Sequence, residues 1–312
     1  MQIEDELARL SPKRDTVLTI GVFDGVHLGH QQLLRQVKEL ARQEDLLPGA
    51  ITFRQHPRDV LARTRPPCLT TLKQRVRLIK DQGIELVVLL PFTPQLASLS
   101  SRQFVSLLKE YLGMRRLVVG PDFALGRGRE GNPAALQRLG EELGFGVTVV
   151  PPMVVNGEVV SSTSLRQAVA DGDVLKVNRL TGRWFRLHGR VVSGVGRGRG
   201  LGFPTANLEI NSEQALPANG VYATWAYLDD KAYPSLTNIG ERPTFAEKGR
   251  TVEVYLLDYQ GDLYGRELQI ETVDRIRPEQ RFGTAEELKA QIAADIDRGR
   301  AILDASPVEQ HG

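Results

Sequence analysis

Short apolar runs and helical repeats alternate along the first half of the chain. Thr16–Phe23, Ala50–Phe53, Leu86–Leu90, Leu117–Gly120 and Gly146–Val150 have the length and content of buried strands. Between them the apolar residues recur at helical spacing. The stretch His30–Arg42 does so through Leu33, Leu34, Val37, Leu40 and Ala41, and Leu72–Asp81, Ser101–Tyr111 and Pro133–Leu143 follow the same pattern. Strand and helix repeated in turn predict a parallel sheet covered on both faces, an α/β doubly wound fold.

The pattern then changes twice. Met153–Val160 reads as a hairpin around Asn156-Gly157, and Ser161–Gly182 as two short helices with Ser162 or Thr163 as N-cap. From Arg183 onward the runs FRLHGRVV, GVYATWAYL, TVEVYLLDY and ELQIETVDRI are short and alternating, with glycine- and proline-bearing loops between them. That texture predicts a mainly antiparallel β-barrel or sandwich. A terminal helix follows, opened by a Thr284/Glu287 capping box and carried by Leu288, Ile292, Ile296 and Ile302. The expected division is 1–182 and 183–312, with no long linker and no internal repeat; the final SPVEQHG is expected to fray.

Composition narrows the function. The chain has 312 residues, enough for two cores, and a formal net charge of +2, which gives no support to a general nucleic-acid or membrane-surface role. Its apolar runs are too short to span a bilayer. The acidic-then-mixed N-terminal sequence lacks the basic-then-apolar order of a signal peptide. One cysteine, Cys68, excludes an internal disulfide framework and a CxxC zinc site. A cytoplasmic protein is expected, and a homo-oligomer is compatible with the sequence.

The densest chemical signal is GVFDGVHLGHQ, Gly21 to Gln31, where the first strand hands over to a helix. Free N–H groups and the positive dipole end of a helix N-terminus suit phosphate. Gly21, Gly25 and Gly29 permit tight turning and close approach. His27 and His30, three apart at such a junction, point to charge stabilisation on a phosphate under attack. Asp24 either braces the turn or serves as a ligand.

Three further segments of the first half lie near strand ends or a helix start. VVSSTSLR offers the Ser162 and Thr163 hydroxyls with the planar fork of Arg166, a set suited to triphosphate. GPDFALGRGREGN leaves the fourth strand at Asp122 and Phe123, where ligands gather in doubly wound sheets. HPRD, from His56 through Pro57 and Arg58 to Asp59, follows the second strand.

In the second half, GVGRGRGLGFPTANLEI reads as a glycine-rich flap over phosphates, through Gly194 and Gly198, leading to Pro204, Thr205 and Asn207. The Thr205 hydroxyl and Asn207 carboxamide suit Mg²⁺ and phosphate oxygens. No lysine follows the glycines, so this is not a Walker A loop. Glu253 alternates with Val252 and Val254; it is either a solvent-facing strand carboxylate or a base that accepts a hydroxyl proton. NIGERPTF, with Asn238 and Arg242, and DLYG at Asp262–Gly265 are loops able to shape a flat pocket or simply to turn the chain.

Taken in order, GVFDGVHLGHQ, TFRQHPRD, VVGPDFALGRGREG, VSSTSLR, LTGRWFRLHGRVV, GRGLGFPTANL, NIGERPTF, EVYLLDYQGDLYG and QIAADIDRGR resemble the prokaryotic bifunctional riboflavin kinase/FMN adenylyltransferase (FAD synthetase) family over nearly the whole chain. The resemblance implies a Rossmann-like nucleotidyltransferase domain that transfers AMP from ATP to FMN, giving FAD and pyrophosphate. It also implies a barrel that phosphorylates riboflavin to FMN with ATP and Mg²⁺.

By motif, His27, His30 and Arg166 would serve adenylyl transfer, with Gly21, Phe23, Gly29, Asp122, Ser162 and Thr163 at the nucleotide. His56, Pro57, Arg58, Asn238 and Arg242 would meet flavin. Gly194, Gly198 and Pro204 would cover ATP, Thr205 and Asn207 would hold Mg²⁺, and Glu253 would be the kinase base. Ser193 stands where the family often has histidine, Val195 where it has a polar residue, Tyr255 where histidine is usual, and FRQHP replaces FEPHP. A single-activity enzyme and a non-catalytic flavin- or nucleotide-binding regulator are the alternatives.

Overall fold

The computed structural model describes residues 3–61, 66–194, 200–229, 231–241, 249–306 and 308. The chain divides into two compact units, Met1–Ser162 and Thr163–Gly312.

The first unit is built on five parallel strands: β1 (Thr16–Ile20), β2 (Leu47–Phe53), β3 (Leu86–Leu90), β4 (Met114–Val119) and β5 (Gly146–Val149). Their order is β3-β2-β1-β4-β5. The central strand β1 is buried along its whole length. Alternate side chains serve opposite faces. Val17 joins one apolar layer with Leu34, Val37 and Ala41 of α2 (Leu28–Glu44). Leu18 joins the other with Phe104, Val105, Leu108 and Leu112 of α6 (Ser101–Leu112). A strand covered on both sides must be apolar throughout, as TVLTI largely is.

The remaining helices of this unit are α1 (Ile3–Ala8), α3 (Pro57–Leu61), α4 (Leu72–Asp81), α5 (Pro94–Ser98) and α7 (Pro133–Leu143). Capping boxes at Thr71/Gln74 and Ser100/Gln103 start α4 and α6. The hairpin around Asn156-Gly157 is present as β6 (Val154–Val155) and β7 (Glu158–Val159), and both turn residues have positive φ.

Several boundaries differ from the sequence expectation: β2 starts at Leu47 rather than Ala50, β4 at Met114 rather than Leu117, and α2 at Leu28 rather than His30. β1 ends at Ile20 rather than Phe23, because Phe23 lies at φ 52°, which no strand residue adopts. Helix α8 (Ser162–Asp171) already includes Ser162 and Thr163, so neither is its N-cap.

The second unit continues through α8 and α9 (Val174–Thr181) into a closed six-stranded barrel. Its strands are β8 (Phe185–Val192), β9 (Ala206–Ile210), β10 (Gly220–Leu228), β11 (Lys231–Glu241), β12 (Arg250–Leu256) and β13 (Glu267–Pro278), closing in the order β10-β11-β12-β9-β8-β13. Every pairing is antiparallel. The terminal helix α10 (Ala285–Asp304) starts at the Thr284/Glu287 capping box.

Helix α10 covers the outside of β10, β11 and β13 through Leu303, against Val221, Ala223, Leu236, Val273 and Ile276. Gly299 permits this approach, since a Cβ there would overlap the Leu236 side chain. Alternation then turns Tyr222, Thr224, Ser235 and Thr237 into the barrel. Thr224 Oγ1 meets Ser235 Oγ at 2.7 Å and Thr237 Oγ1 at 2.9 Å, all three residues fully buried. Buried hydroxyls are tolerated because they satisfy one another.

Candidate functional site

In the first unit the neighbours of β1 run β2 then β3 on one side and β4 then β5 on the other. The crevice at the carboxyl ends of β1 and β4 is thus a topological switch point, the usual ligand position in such sheets. The turn Gly21–His27 leaves β1 at this point. Three of its residues have positive φ: Phe23 at 52°, Gly25 at 79° and Val26 at 35°. The carbonyl of Val22 accepts from Thr52 Oγ1 at 3.0 Å and from Arg75 Nη1 at 2.8 Å, and Arg75 Nη2 reaches Phe53 O at 2.8 Å.

His27 is the N-cap of α2, and its Nδ1 accepts from the His30 backbone N–H at 3.3 Å. The two imidazoles stack, with centroids 3.7 Å apart and planes 17° apart. Phe23 packs its ring against His30 at 5.1 Å and 69°. Gly29 lies close to the stack: a Cβ there would stand 3.2 Å from the His27 ring and 3.4 Å from Val160 O, so the ring would have to shift by a few tenths of an ångström. Gly21 likewise gives room to the Phe23 ring, 3.1 Å from where a Cβ would stand. The result is a pair of rings over the N-terminus of α2, an end whose free N–H groups and positive dipole favour negative charge.

The carboxylate of Asp24 faces the backbone of Leu69 and Thr70, so of the two sequence readings the brace is the one with partners in the structure. Ser162, the last residue of the first unit, donates from Oγ to Asp24 O at 3.1 Å. Thr163, exposed, and Arg166, half-buried, follow on α8 within the second unit. Asp122 lies exposed beyond the end of β4, and its carbonyl accepts from Arg129 Nη2 at 3.2 Å. His56 follows the end of β2, and its Nδ1 accepts from Arg58 N at 3.1 Å. Pro57 and Arg58 open α3, with Arg58 exposed.

In the barrel, register makes a row that linear sequence does not display. Asn207 of β9 is the direct partner of Glu253 of β12, and Glu253 is the direct partner of Asn238 of β11. Directly opposed residues share a face. All three are half-buried on the outer face, since the flanking Val252 and Val254 are buried inside. Gly194 packs so closely on Asn207 that any Cβ would overlap the carboxamide.

At the barrel's mouth a pocket of about 360 Å³ is lined by Pro204, Thr205 and Ala206, and by Tyr259, Asp262 and Tyr264 of the loop after β12. The structure therefore brings Pro204 and Thr205 to the pocket, and Asn207, Glu253 and Asn238 to the adjoining outer row. Tyr255, two residues beyond Glu253, sets its ring edge-on to Phe203 at 5.8 Å and 88°, bracing the segment that enters Pro204. Gly198, Val195 and Arg242 lie outside the described residues, as do most of the terminal SPVEQHG.

Sequence reasoning missed Arg75, Leu69, Thr70 and Tyr259. Arg75 looks like one more exposed helix cation, yet it is only 7% exposed.

Comparison with known proteins agrees with both halves. A family model described as FAD synthetase matches residues 10–164, and one described as riboflavin kinase matches residues 181–303. The bifunctional riboflavin kinase/FMN adenylyltransferase of Escherichia coli (strain K12) is 41% identical over 288 residues, covering 91% of this chain and 92% of that protein. The protein of the same description from Pseudomonas fluorescens is 38% identical over 309 residues, covering 98% and 99%. A crystal structure described as a macrolide-efflux protein from Streptococcus pneumoniae is 31% identical, with a TM-score of 0.88 over 94% of this chain and 96% of that one. The chain thus belongs to the bifunctional riboflavin kinase/FMN adenylyltransferases, with a FAD synthetase half followed by a riboflavin kinase half.

Proposed function

We propose that each half carries its own ATP-dependent centre and that the residues named above divide the work. Residues 1–182 make FAD from FMN, and residues 183–312 make FMN from riboflavin. The observation that carries this reading is the existence of two unlike constellations. One is a stacked histidine pair over a helix N-terminus; the other is a carboxylate flanked by two carboxamides on a barrel.

In adenylyl transfer an oxygen of the FMN phosphate attacks the α-phosphorus of ATP, the bond to the β-phosphate oxygen breaks, and pyrophosphate leaves. Negative charge grows on the non-bridging oxygens. The imidazoles of His27 and His30 and the N–H groups opening α2 are suited to stabilise it. Arg166, Ser162 and Thr163 would bind phosphate oxygens, with Gly21, Phe23, Gly29 and Asp122 lining the nucleotide. His56, Pro57 and Arg58, beyond the neighbouring strand end, would meet the flavin.

In the kinase step the ribityl 5′-hydroxyl attacks the γ-phosphorus of a second ATP, and its proton passes to the Glu253 carboxylate while ADP departs. Asn207 and Asn238 flank that carboxylate and would orient it and the substrate. The mouth pocket at Pro204 and Thr205 is the natural seat for ATP.

The oxygen donors Thr205 and Asn207 fit Mg²⁺, a hard cation that usually takes few protein ligands and shares substrate phosphates. Among the described residues there is no cluster of three His, Cys, Asp or Glu that could hold a metal. When bound, Mg²⁺ would neutralise charge on the phosphates. Among the described residues no helix is long and apolar enough to cross a membrane. A cytoplasmic location is proposed on the single cysteine and the use of ATP for both steps.

The test is a chromatographic assay with riboflavin, ATP and Mg²⁺, then with FMN in place of riboflavin. FMN followed by FAD is expected from the first, and FAD from the second. Failure of riboflavin to yield FMN would leave an adenylyltransferase alone.

A further inference from the structure

The turn that presents His27 holds an unfavourable backbone. Phe23 and Val26 both have positive φ, and a β-branched residue at φ 35° is a genuine outlier. Such conformations persist only where surrounding contacts over-determine them.

Between these two residues sits Asp24, 4% exposed. Its Oδ1 and Oδ2 accept from Leu69 N at 3.0 and 3.1 Å, and Oδ1 accepts from Thr70 N at 3.1 Å and Thr70 Oγ1 at 3.2 Å. Thr70 Oγ1 in turn accepts from Gly25 N at 3.2 Å, so one threonine clasps two consecutive residues of the turn. The next residue, Thr71, is the N-cap of α4 with a complete capping box, so the clasp runs directly into a capped helix end. The Asp24 carbonyl accepts from Ser162 Oγ at 3.1 Å on its other side. Hydrogen bonds to a carboxylate are among the stronger ones available.

We propose that Asp24 is a positioning residue for adenylyl transfer: clasped by Leu69 and Thr70, it fixes the strained turn that holds His27 and His30 in their stacked arrangement, without itself touching a reacting atom. This rests on the reading that the histidine pair stabilises the α-phosphate.

The experiment is a double-mutant cycle on the full chain, measured as kcat and KM for FMN adenylylation, with riboflavin phosphorylation as the internal control for folding. Asp24→Asn keeps the size but sets an amide N–H₂ against backbone donors. It is expected to lower kcat for adenylylation about 10²-fold, the scale of a misplacement of about 1 Å. KM for ATP and FMN and the kinase rate should stay within about twofold. In a His30→Ala background, the residual rate followed over hours should fall no more than about twofold further on adding Asp24→Asn, since the residue acts through the histidines.

Losses that multiply in the double variant, or an unaltered kcat in Asp24→Asn, would overturn the proposal. If Asp24→Asn also abolishes the kinase, Thr70→Val decides. It keeps the backbone donors and removes one hydroxyl, and a smaller loss in adenylylation with the same non-additivity is expected; an additive loss contradicts it. A His30→Ala variant with undiminished adenylylation would instead sink the reading of the histidine pair, and this proposal with it.

Discussion

Asn207 and Glu253 are direct cross-strand partners, on β9 and β12 of the barrel. Because opposed residues share a face, the carboxamide that would bind the nucleotide's cation and the carboxylate that would take the hydroxyl proton are held side by side by backbone pairing. Glu253→Gln preserves shape and removes the base. The expected result is a fall of about 10²- to 10⁴-fold in kcat for riboflavin phosphorylation, with FMN adenylylation unchanged. Steady-state kinetics with riboflavin and with FMN check both.

Gly194 gives a subtler test of the same row. A Cβ at this position would overlap the Asn207 carboxamide. Gly194→Ala should displace that side chain, raising KM for ATP and lowering kcat in the kinase step about tenfold or more, as a misplaced binding group does. The thermal transition should change little. ATP titrations at fixed riboflavin read the shift.

His27 performs two tasks that substitution can separate. It caps α2 through Nδ1, and on the proposed reading its ring would also face the nucleotide's phosphate. His27→Asn retains a good cap, whereas His27→Ala removes it at a cost of about 1 kcal/mol. Both variants should lose FAD formation, but only the alanine variant should lower the unfolding midpoint of the first unit. Equal destabilisation by both would deny the capping role.

Tyr222 is fully buried in the barrel and donates to Ala218 O at 2.6 Å. Burial raises its pKa above the usual phenol value of 10, with Arg275 and Arg250 pulling the other way. A raised phenol pKa means the neutral form favours the fold. That stability is complete below the unfolded pKa and is lost as pH rises through the folded one. Tyr222→Phe should therefore cost about 1–2 kcal/mol at neutral pH by leaving the Ala218 carbonyl without this donor. It should also make alkaline unfolding of the barrel less steep. Denaturant melts at neutral and alkaline pH measure both effects.

Much of this molecule is legible in its sequence, for identifiable reasons. The doubly wound half declares itself because strands buried on two faces are continuous apolar runs and the covering helices repeat at 3.6 residues. The histidine pair is visible because two histidines three apart, with glycines around them, stand where a strand hands over to a helix N-terminus.

The barrel is less transparent. β9 and β11 are not evident as runs: β9 is only five residues, and β11 carries Pro234 and Gly240. The Asn207–Glu253–Asn238 row is invisible in one dimension, since it depends on how barrel closure sets the register between strands. Short α1 and α5 escape for want of repeats. The Asp24–Thr70 clasp joins residues 46 apart, and no local pattern encodes it. Tyr255, which departs from the histidine usual in the family, has a physical account in its edge contact with Phe203.

The most direct measurement uses two single variants, His30→Ala and Glu253→Gln, each incubated with riboflavin and ATP, with FMN and ATP, and then mixed. Independent centres require His30→Ala to accumulate FMN without FAD, and Glu253→Gln to convert supplied FMN to FAD but leave riboflavin untouched. The mixture should again carry riboflavin through to FAD. Loss of both steps in either variant alone would contradict the assignment of one centre to each half.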